Sequence, residues 1–411
     1  MQTLPGFREF YPADFAARRY IFEGWRRVAR SYGFVEYEGP TLESVELYRK
    51  KSGGELVGQL FEFIDKGKRE VALRPEMTPT LARMISSRER DFKKPIKWFS
   101  VGPFFRYEKQ QDGRTREFAQ LNCDIFGDHS VAGEAEMIAL AIDQFRVFGL
   151  TEKDFFIRIN DRRVWEKFLA ERGVASDRTE EFLQIIDKLG REREEVSVAK
   201  CDGFGVPYSD VREFLTKPAP LLEPLAAELR ARGLESYVRF DASIVRGLAY
   251  YTGVVFEVFS PAHGRALAGG GRYDDLLKTL SDGRVDLPAM GFAIGDVVTE
   301  KVLRATPHAA EKLEAAVRVD NAPQAFGVIA DEARRHEAVR LFSDLRREGV
   351  RVDYPLSPMK VGKQFQLAEQ GGAPFAIVVG AEWPQVKLKT LATREERVVE
   401  GGCAALLAAL R

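Results

Sequence analysis

The sequence predicts an α+β fold with a helical insertion and a separate C-terminal α/β domain, and three stretches support this prediction. Residues 98–126 have the pattern of a β-hairpin, residues 162–235 form short and highly charged helical segments, and strand and helix patterns alternate from residue 325 onwards. A chain of 411 residues is also too long for one ordinary hydrophobic core. We therefore expect two or three domains.

Charge and cysteine usage restrict the partners and the compartment. Lys plus Arg and Asp plus Glu both number 62, so a nucleic-acid partner would have to bind local basic patches. The three cysteines lie far apart and form no C-x-x-C pair, which favours a reducing cytosol. The N-terminus has no apolar signal segment and no run of about 18 apolar residues occurs, so we expect a cytoplasmic protein that has no membrane partner.

The first elements are an amphipathic helix and several short strands. Ala13 to Tyr32 has a helical apolar stripe that ends at Gly33. Phe34 to Leu42 alternates like a strand, but Pro40 interrupts it, which suits a sheet edge or an interface such as a dimer seam. Phe61 to Arg74 then predicts two short strands.

Glu76 and Thr78 lie between two prolines where a strand leads into a helix. A carboxylate and a hydroxyl on such a stiffened turn can hold an ammonium group. Thr78 is equally suited to the N-cap of the following helix, so both interpretations stay open.

The hairpin carries charge inside an apolar setting. Its arms are Trp98 to Tyr107 and Thr115 to Phe126, joined by a turn at residues 110–113. Alternation puts one set of second-arm side chains opposite the apolar set, namely Arg116, Phe118, Gln120, Asn122 and Asp124. Together with Arg106 and Glu108 they form a polar floor that suits an anionic substrate. The alternative is a solvated sheet face whose ion pairs contribute little.

A helix is predicted for residues 131–148 and a strand for residues 155–159. After the helical insertion, strand patterns return at Tyr237, and a second polar stretch follows at residues 245–253. There Arg246 stands beside a glycine, with Tyr250 and Tyr251 close behind, which places a guanidinium and two phenols where a ligand can approach closely.

The remaining elements complete the chain. Gly269 to Gly271 are consecutive and lack the G-x-G-x-x-G spacing, so they do not indicate a dinucleotide site, and we expect a turn there. Met290 to Gly295 is predicted to open a helix that runs to Leu303, and residues 305–323 to form a linker. The last segment predicts strands at 325–329, 351–354, 374–380 and 386–391, with helices at 333–348, 362–370 and 404–410.

Four motifs in this order resemble the histidyl-tRNA synthetases, a family of class II aminoacyl-tRNA synthetases, over essentially the full length. They are Phe105-Arg106-Tyr107-Glu108 with Gly113-Arg114-Thr115-Arg116-Glu117-Phe118 (motif 2), Arg246-Gly247-Leu248-Ala249-Tyr250-Tyr251-Thr252-Gly253 (the histidine motif), Arg74-Pro75-Glu76-Met77-Thr78, and Gly270-Gly271-Arg272-Tyr273-Asp274. Pro40 stands where motif 1 has its interface proline.

The resemblance implies a fold and a reaction. The fold is a class II catalytic domain, an antiparallel sheet flanked by helices, in residues 1–161 and 236–305. Residues 162–235 are then the helical insertion, 306–323 a linker, and 324–411 an anticodon-binding-like α/β domain. A homodimer is implied, in which ATP activates L-histidine as an adenylate that is then transferred to the histidine tRNA.

The resemblance also implies roles for residues at the nucleotide. Arg106 and Arg246 are the catalytic residues that clamp the α-phosphate, since guanidinium groups suit phosphate oxygens. Glu108, Arg114 and Phe118 match positions that bind ATP. Mg²⁺ is expected on the outer phosphates, and no residue is expected to be a direct structural metal ligand.

At the amino acid, Glu76 and Thr78 match the grip on the α-amino group. The histidine-binding positions that follow are Gln120, Asp124, Tyr250 and Tyr251, and the carboxylate of Asp124 can accept from an imidazole N–H. The tRNA would be held at its acceptor end and its anticodon. The C-terminal module has only a slight excess of basic residues, so a generic ligand-binding module is the alternative there. The loop Lys109 to Gly113 is left for the acceptor end or for closing over ATP.

The sequence departs from the family pattern at three places. The third motif usually carries an adenine-stacking arginine shortly after residue 295, where this chain has Val297-Val298, and Arg304 comes later. Ala249 stands where the family has an acid, and Asp124 is shorter than the expected glutamate. These changes fit either a divergent active enzyme or a paralogue that lost the reaction.

The alternative function is that of a histidine-binding paralogue without catalysis, such as the synthetase-like regulatory subunit of ATP phosphoribosyltransferase. Retention of Arg246 and of the whole of motif 2 argues against this alternative, as does the full C-terminal α/β domain.

Overall fold

A large mixed sheet organises the first and larger of two compact units. The computed structural model describes residues 2–50, 54–109, 113–189, 192–216, 220–245 and 250–410. The chain divides into one unit of Met1–Glu9 with Arg18–Leu313 and a second of Phe10–Ala17 with Glu314–Arg411. The strands of the first unit are β1 (Val35–Glu36), β2 (Leu42–Ser44), β3 (Phe61–Ile64), β4 (Glu70–Leu73), β5 (Ile96–Phe105), β6 (Glu117–Phe126), β7 (Phe156–Asp161), β8 (Val238–Phe240), β9 (Val254–Ser260), β10 (His263–Arg272) and β11 (Ala289–Gly295).

Eight of these strands form one sheet in the order β1-β5-β6-β11-β10-β9-β7-β8. The six central strands pair antiparallel, as the sequence predicts for the hairpin of β5 and β6. The two edge strands, β1 and β8, pair parallel with their neighbours, so the predicted antiparallel sheet is confirmed and carries one parallel strand at each edge. The other three strands form a small antiparallel sheet, β2-β4-β3.

Helices cover this sheet and fill the insertion. The helices are α1 (Pro12–Ser31), α2 (Val45–Arg49), α3 (Gly54–Val57), α4 (Thr78–Arg88), α5 (Val131–Arg146), α6 (Arg162–Ala170), α7 (Thr179–Lys188), α8 (Glu194–Asp202), α9 (Tyr208–Leu215), α10 (Glu223–Ala231), α11 (Leu276–Leu280), α12 (Asp296–Ala305) and α13 (Pro307–Asn321). The amphipathic helices α6 and α7 bury an aromatic cluster that includes Trp165, Phe168 and Phe182. Most of residues 305–323, which the sequence predicts as a linker, form the helix α13.

The glycine-rich segment is a strand, which corrects the expected turn. Gly269, Gly270 and Gly271 lie inside β10 and pair with both β9 and β11. A Cβ atom on Gly270 would lie 2.4 Å from the carbonyl oxygen of Gly291, and one on Gly271 would lie 2.6 Å from that of Val254. Close approach of neighbouring backbones thus explains glycines that strand propensity alone disfavours.

The segment before α12 also differs from its prediction. Residues 289–295 form the central strand β11, and the helix begins only at Asp296. The carboxylate of Asp296 is buried, accepts from the backbone N–H of Ala119 at 2.9 Å and pairs with Arg8 at 2.7 Å. The strand-to-helix junction is thereby tied to the hairpin.

The second unit has its own five-stranded sheet, as predicted for the C-terminal α/β domain. Its elements are β12 (Ala325–Ile329), α14 (Arg335–Arg347), β13 (Val352–Asp353), α15 (Val361–Gln370), β14 (Phe375–Val379), β15 (Gln385–Thr390), β16 (Glu396–Glu400) and α16 (Cys403–Ala409). The strand order is β13-β12-β14-β15-β16, with parallel pairs around β12 and antiparallel pairs beyond β14. β16 is absent from the prediction because its side chains are mostly charged and exposed.

Within the part of the chain that the structure describes, no helix is long and apolar enough to cross a membrane.

Candidate active site

A cavity of about 750 Å³ opens over the face of the large sheet, and the hairpin forms its floor. Every predicted site residue that the structure describes lines it: Glu76, Thr78, Arg106, Glu108, Arg114, Phe118, Gln120, Asp124, Tyr250 and Tyr251. The chain thus brings together residues from β6, from the segment before α4 and from the segment before β9. Arg246 and Ala249 lie outside the described residues, as do residues 110–112 of the hairpin turn.

The alternation along β6 determines which side chains face this cavity. Phe118, Gln120, Asn122 and Asp124 line it, whereas the intervening Ala119, Leu121, Cys123 and Ile125 are buried in the core. The predicted face is therefore an enclosed floor, and the alternative of a solvated sheet face is wrong for Asn122 and Asp124, which are 4% and 3% exposed.

Arg116 is an exception to the predicted face. It precedes the first residue of β6, and its guanidinium lies 4.2 Å above the ring of Tyr107. Its side chain packs against Gly6, where a Cβ atom would lie 2.7 Å from the Arg116 Cγ. Counting by twos fails here because the regular strand has not yet begun, and Arg116 anchors the N-terminal segment outside the cavity.

One end of the cavity is rich in guanidinium groups. Arg106 extends from the end of β5, donates from Nε to the carbonyl oxygen of Pro75 at 3.0 Å, and lies 5.3 Å from the centroid of the Phe118 ring. Arg114 pairs with Glu108 at 2.9 Å. This bond uses the Nε–H of Arg106, so the terminal N–H groups of its guanidinium can still donate to the oxygens of a carboxylate or a phosphate.

The other end carries a buried carboxylate. Asp124 accepts a hydrogen bond from the hydroxyl of Tyr273. Burial and the neighbouring carboxylate raise the pKa of that hydroxyl well above its usual value, so Tyr273 remains a donor at neutral pH. Gly291 lies opposite Asp124 on β11, and a Cβ atom there would lie 2.1 Å from the Asp124 Oδ1. This glycine therefore allows the carboxylate to occupy its position.

Tyr250 and Tyr251 form the wall beside this carboxylate. Their ring centroids are 4.8 Å apart, and Tyr250 meets the Tyr273 ring edge to face at 5.7 Å. Tyr251 packs on Gly271, where a Cβ atom would lie 2.9 Å from its ring. The aromatic wall thus depends on the glycines of β10, which sequence reasoning had placed in a turn.

Glu76 and Thr78 enter the cavity from the segment between β4 and α4. Glu76 is 6% exposed, and Thr78 is the first residue of α4. Met77 occupies the N-cap position, and this helix start has no side-chain cap hydrogen bond. The N-cap interpretation of Thr78 is therefore wrong, and its side chain lines the cavity.

Two further arginines from the sequence motifs lie behind the cavity wall. Arg74 is fully buried, bonds to Glu38 at 2.6 Å and to the carbonyl oxygen of Pro103 at 2.9 Å, and lies over the Phe104 ring. Arg272 donates to Glu134 at 2.6 Å. These side chains join elements that carry the cavity and do not line it.

Several lining residues have no role in the sequence prediction, and Asn122, Glu257 and Arg265 are three polar examples. Asn122 stood on the predicted face but received no role, although its buried Nδ2 has no hydrogen-bond partner among the described residues. Glu257 lies in an otherwise apolar strand, where a single charge could have marked an inward polar position. Arg265 precedes the glycine-rich segment, and nothing in its local sequence indicates that it reaches the cavity.

The two ends of the cavity suit different ligand groups, although both lie over the same hairpin. Guanidinium groups at one end can bind phosphate oxygens and stabilise charge that grows during a displacement at phosphorus. The carboxylate and phenols at the other end can accept from a ring N–H and pack on a flat ring. Among the described residues no group of three or more His, Cys, Asp or Glu could hold a metal ion.

Comparison with protein families matches both units. The family model described as histidyl-tRNA synthetase matches residues 6–200 and 209–297, and the model described as anticodon binding domain matches residues 316–403. A histidine–tRNA ligase of Opitutus terrae is 43% identical and covers 96% of this chain and 95% of its own length. The corresponding protein of Thermoplasma volcanium is 34% identical over 98% and 97%.

Solved structures show the same fold. The crystal structure of apo histidyl-tRNA synthetase from S. aureus superposes with a TM-score of 0.72 at 27% identity and covers 100% of this chain and 99% of its own. The histidyl-tRNA synthetase from Nostoc reaches a TM-score of 0.78 at 24% identity, over 100% and 98%. A Bacillus halodurans protein titled ATP phosphoribosyltransferase regulatory subunit/histidyl-tRNA synthetase reaches 0.72 at 21% identity over 92% and 99%. Likeness at such low identity concerns the fold alone.

Proposed function

The chain belongs to the histidyl-tRNA synthetase family, and from this premise we propose that its cavity activates L-histidine with ATP and transfers the histidyl group to the histidine tRNA. One observation carries the proposal. The guanidinium end and the carboxylate end of the cavity are joined by the single strand β6, so both substrates can lie side by side.

The first step is a displacement at phosphorus. The carboxylate of histidine attacks the α-phosphorus of ATP, the bond to the β-phosphate breaks, and pyrophosphate leaves. Arg106 and Arg246 clamp the α-phosphate as its negative charge grows, while Glu108, Arg114 and Phe118 hold the rest of the nucleotide. Mg²⁺ would be held by the outer phosphates of ATP, and it would supply positive charge that helps pyrophosphate to leave.

Histidine is recognised at the other end. Glu76 and Thr78 bind its α-amino group, Gln120 lies at the junction of the two substrates, and Asp124 accepts from an imidazole N–H. Tyr250 and Tyr251 then pack along the ring. An apolar competitor would leave the buried carboxylate unpaired, at a cost of about 1–3 kcal/mol.

The second step uses the tRNA. A hydroxyl of the terminal ribose attacks the carbonyl carbon of the adenylate, AMP leaves, and histidine becomes esterified. The second unit, residues 314–411 together with 10–17, contains the segment that matches the anticodon-binding model, and we assign anticodon recognition to it. Since ATP and tRNA are cytoplasmic substrates, we expect the protein in the cytoplasm.

We also propose that the chain divides into a catalytic domain of residues 1–161 and 236–305, a helical insertion of 162–235, a linker segment of 306–323 and an anticodon-binding-like domain of 324–411. A homodimer is proposed as well. Apolar side chains stand exposed on the outer strands, including Val35 on the edge strand β1 (62%), Phe63 (50%) and Ile64 (70%). The molar mass from light scattering tests it.

The ligase is favoured over the regulatory paralogue. Relatives that are 34–43% identical over nearly the whole chain are histidine–tRNA ligases. The Bacillus halodurans protein is only 21% identical to this chain, and at that identity the likeness concerns the fold alone.

The test is the exchange of labelled pyrophosphate into ATP by the purified full chain. We expect exchange with L-histidine and none with the other amino acids or without any, followed by charging of the histidine tRNA. The Arg246→Ala variant should lose exchange rate by a factor on the order of 10²–10³ while its KM for histidine changes little. A folded protein that binds histidine without exchange would make the regulatory function the better description.

A further inference from the structure

An arginine outside all four sequence motifs lies in the nucleotide end of the cavity. Arg265 is near the start of β10, is half-buried, and lines the cavity together with Arg114 and Phe118. Its backbone N–H donates to the Nδ1 atom of His263 at 3.1 Å, which shapes the chain just before it. Neither the family motifs nor the reaction steps assign it a role.

Arg265 occupies the neighbourhood of Val298, the position at which the third motif lacks its arginine. A Cβ atom built on Gly113 would lie 3.2 Å from the Val298 Cγ2 and 3.4 Å from the Arg265 Cδ. Arg265, Val298 and Gly113 all line the cavity, so the two side chains lie in the same part of it. Val298 itself is short and apolar, so it leaves this space for a longer neighbour.

The strand register explains how Arg265 reaches that space. Ala268 on β10 pairs with Ile294 on β11, and Arg265 lies three residues before Ala268. The chain at Arg265 therefore runs beside the point where β11 has ended and α12 has begun. A side chain from this part of β10 and one from the first turn of α12 converge on one region.

The other arginine near this motif does not reach the cavity. Arg304 lies near the end of α12, pairs with Glu300 at 2.8 Å, and is not among the lining residues. Arg106 and Arg114 belong to the hairpin side, where they are held by Pro75 and Glu108. Arg265 comes from a different strand, β10, and its side chain lies beside Gly113 of the hairpin.

We propose that Arg265 supplies the planar cation that stacks on the adenine ring of ATP, with Phe118 of the hairpin on the opposite side of the ring. A guanidinium is flat and weakly hydrated, and it stacks on aromatic faces, as does the phenyl ring of Phe118. In this chain an arginine on β10, Arg265, thus takes the role that the family assigns to an arginine at the start of α12. This proposal rests on the proposed function and names the adenine subsite of the same cavity.

The first experiment measures KM values in histidine-dependent pyrophosphate exchange. Replacing Arg265 with alanine should raise the KM for ATP at least about fivefold, the lower end for loss of one stacking partner of a base, and should leave the KM for histidine within about twofold. Arg265→Lys keeps the charge without the plane, so it should be nearly as impaired. Arg304→Ala is the matched control and should behave like the unmodified chain.

A rescue variant tests whether the two positions share one space. In the double variant Arg265→Ala/Val298→Arg, the new arginine enters from α12, and the KM for ATP should return towards that of the unmodified chain. A double variant that folds, as judged by its circular dichroism, and shows no such return contradicts the shared position.

Adenosine separates base contacts from phosphate contacts and does not depend on the double variant. As a competitor of ATP it has no phosphates, so its inhibition constant should rise in Arg265→Ala by about the same factor as the KM for ATP. An unchanged adenosine constant with a raised ATP KM would place Arg265 on a phosphate, and an unchanged ATP KM with a raised KM for tRNA would place it at the acceptor end. Either result overturns the adenine assignment.

Failure of the proposal is distinct from failure of the function. An unmodified chain without histidine-dependent exchange contradicts the ligase function itself. An active chain whose Arg265→Ala variant keeps its KM for ATP contradicts only the role of Arg265.

Discussion

The arginines behind the cavity and those that face it have opposite surroundings. Arg74 and Arg272 are almost completely buried and donate to carboxylates and backbone carbonyls on several different elements. Arg106 and Arg114 are partly exposed and line the cavity, and their partners Pro75 and Glu108 lie at its edge or within it. Arg74 and Arg272 donate most of their hydrogen bonds to other parts of the protein, whereas Arg106 and Arg114 have N–H groups that can donate to a ligand in the cavity.

The arginines of motifs that look alike in sequence therefore have different roles, either structural or at the cavity. Each motif contains an arginine next to polar or small residues, but only the position of that arginine in the tertiary structure decides its role. We expect substitutions behind the cavity to reduce stability first, and substitutions on its floor to reduce the reaction rate first.

The largest effect on stability is expected for Arg74→Met. Its loss leaves the buried carbonyl oxygens of Pro103 and Gly39 without donors and leaves part of the guanidinium volume empty, so the free energy of unfolding should fall by about 3–5 kcal/mol. Urea unfolding followed by circular dichroism measures it. Arg69→Ala is the control, because Arg69 is exposed and its loss should leave the unfolding free energy nearly unchanged. Equal effects of the two variants would contradict the scaffold role of Arg74.

Arg106→Ala should show the reverse pattern. Loss of the proposed clamp on the α-phosphate should lower the rate of pyrophosphate exchange by a factor on the order of 10²–10³, while the unfolding free energy changes by about 1 kcal/mol or less. Arg116→Ala serves as the comparison within the same hairpin, since Arg116 lies over Tyr107 outside the cavity. A rate loss in Arg116→Ala as large as that in Arg106→Ala would remove the distinction between the two positions.

The smallest expected difference is the pH-dependent part of the stability change in Arg272→Met. Burial raises the pKa of Glu134, and the hydrogen bond and charge of Arg272 oppose that rise, so removing Arg272 should raise this pKa further. A carboxyl with a raised pKa binds its proton more tightly in the folded state, so it destabilises the protein increasingly as pH rises above its ordinary value of 4.5.

The difference in unfolding free energy between Arg272→Met and the unmodified chain should therefore grow from about pH 5 to pH 7. Urea unfolding at several pH values tests this. Adding Glu134→Gln should remove the extra pH dependence because no carboxyl then titrates at that position. Parallel pH profiles for the unmodified chain and Arg272→Met would contradict the coupling.

Most of the hairpin could be predicted because its information is local. The two-residue period of β6 is present in the sequence, and it places Phe118, Gln120 and Asp124 on one face without knowledge of any other element. The prediction was wrong at Arg116, where the period was extended beyond the first residue of the strand. Local patterns likewise located the elements of the C-terminal α/β domain, except the exposed strand β16.

The glycine-rich strand β10 could not be recognised in the same way. Glycines are depleted in strands, and the reason for these lies on other strands: Gly270 faces the backbone of Gly291, and Gly271 faces the Tyr251 ring. Strand β11 was mistaken for a helix start for the same reason, since its small residues make room for Asp124.

The sequence by itself determined the family, the polar face of the hairpin and the residue types available to each substrate, because motifs and strand periodicity are encoded over short distances. Only the tertiary structure decided which arginines face the cavity, that Thr78 is not a cap, and that Arg265 and Val298 both lie beside Gly113. Those outcomes depend on contacts between residues far apart in the chain, and the strand order β6-β11-β10-β9 creates them. The charged hairpin thus becomes the floor of a cavity only because the glycines of two other strands leave room for Asp124 and Tyr251.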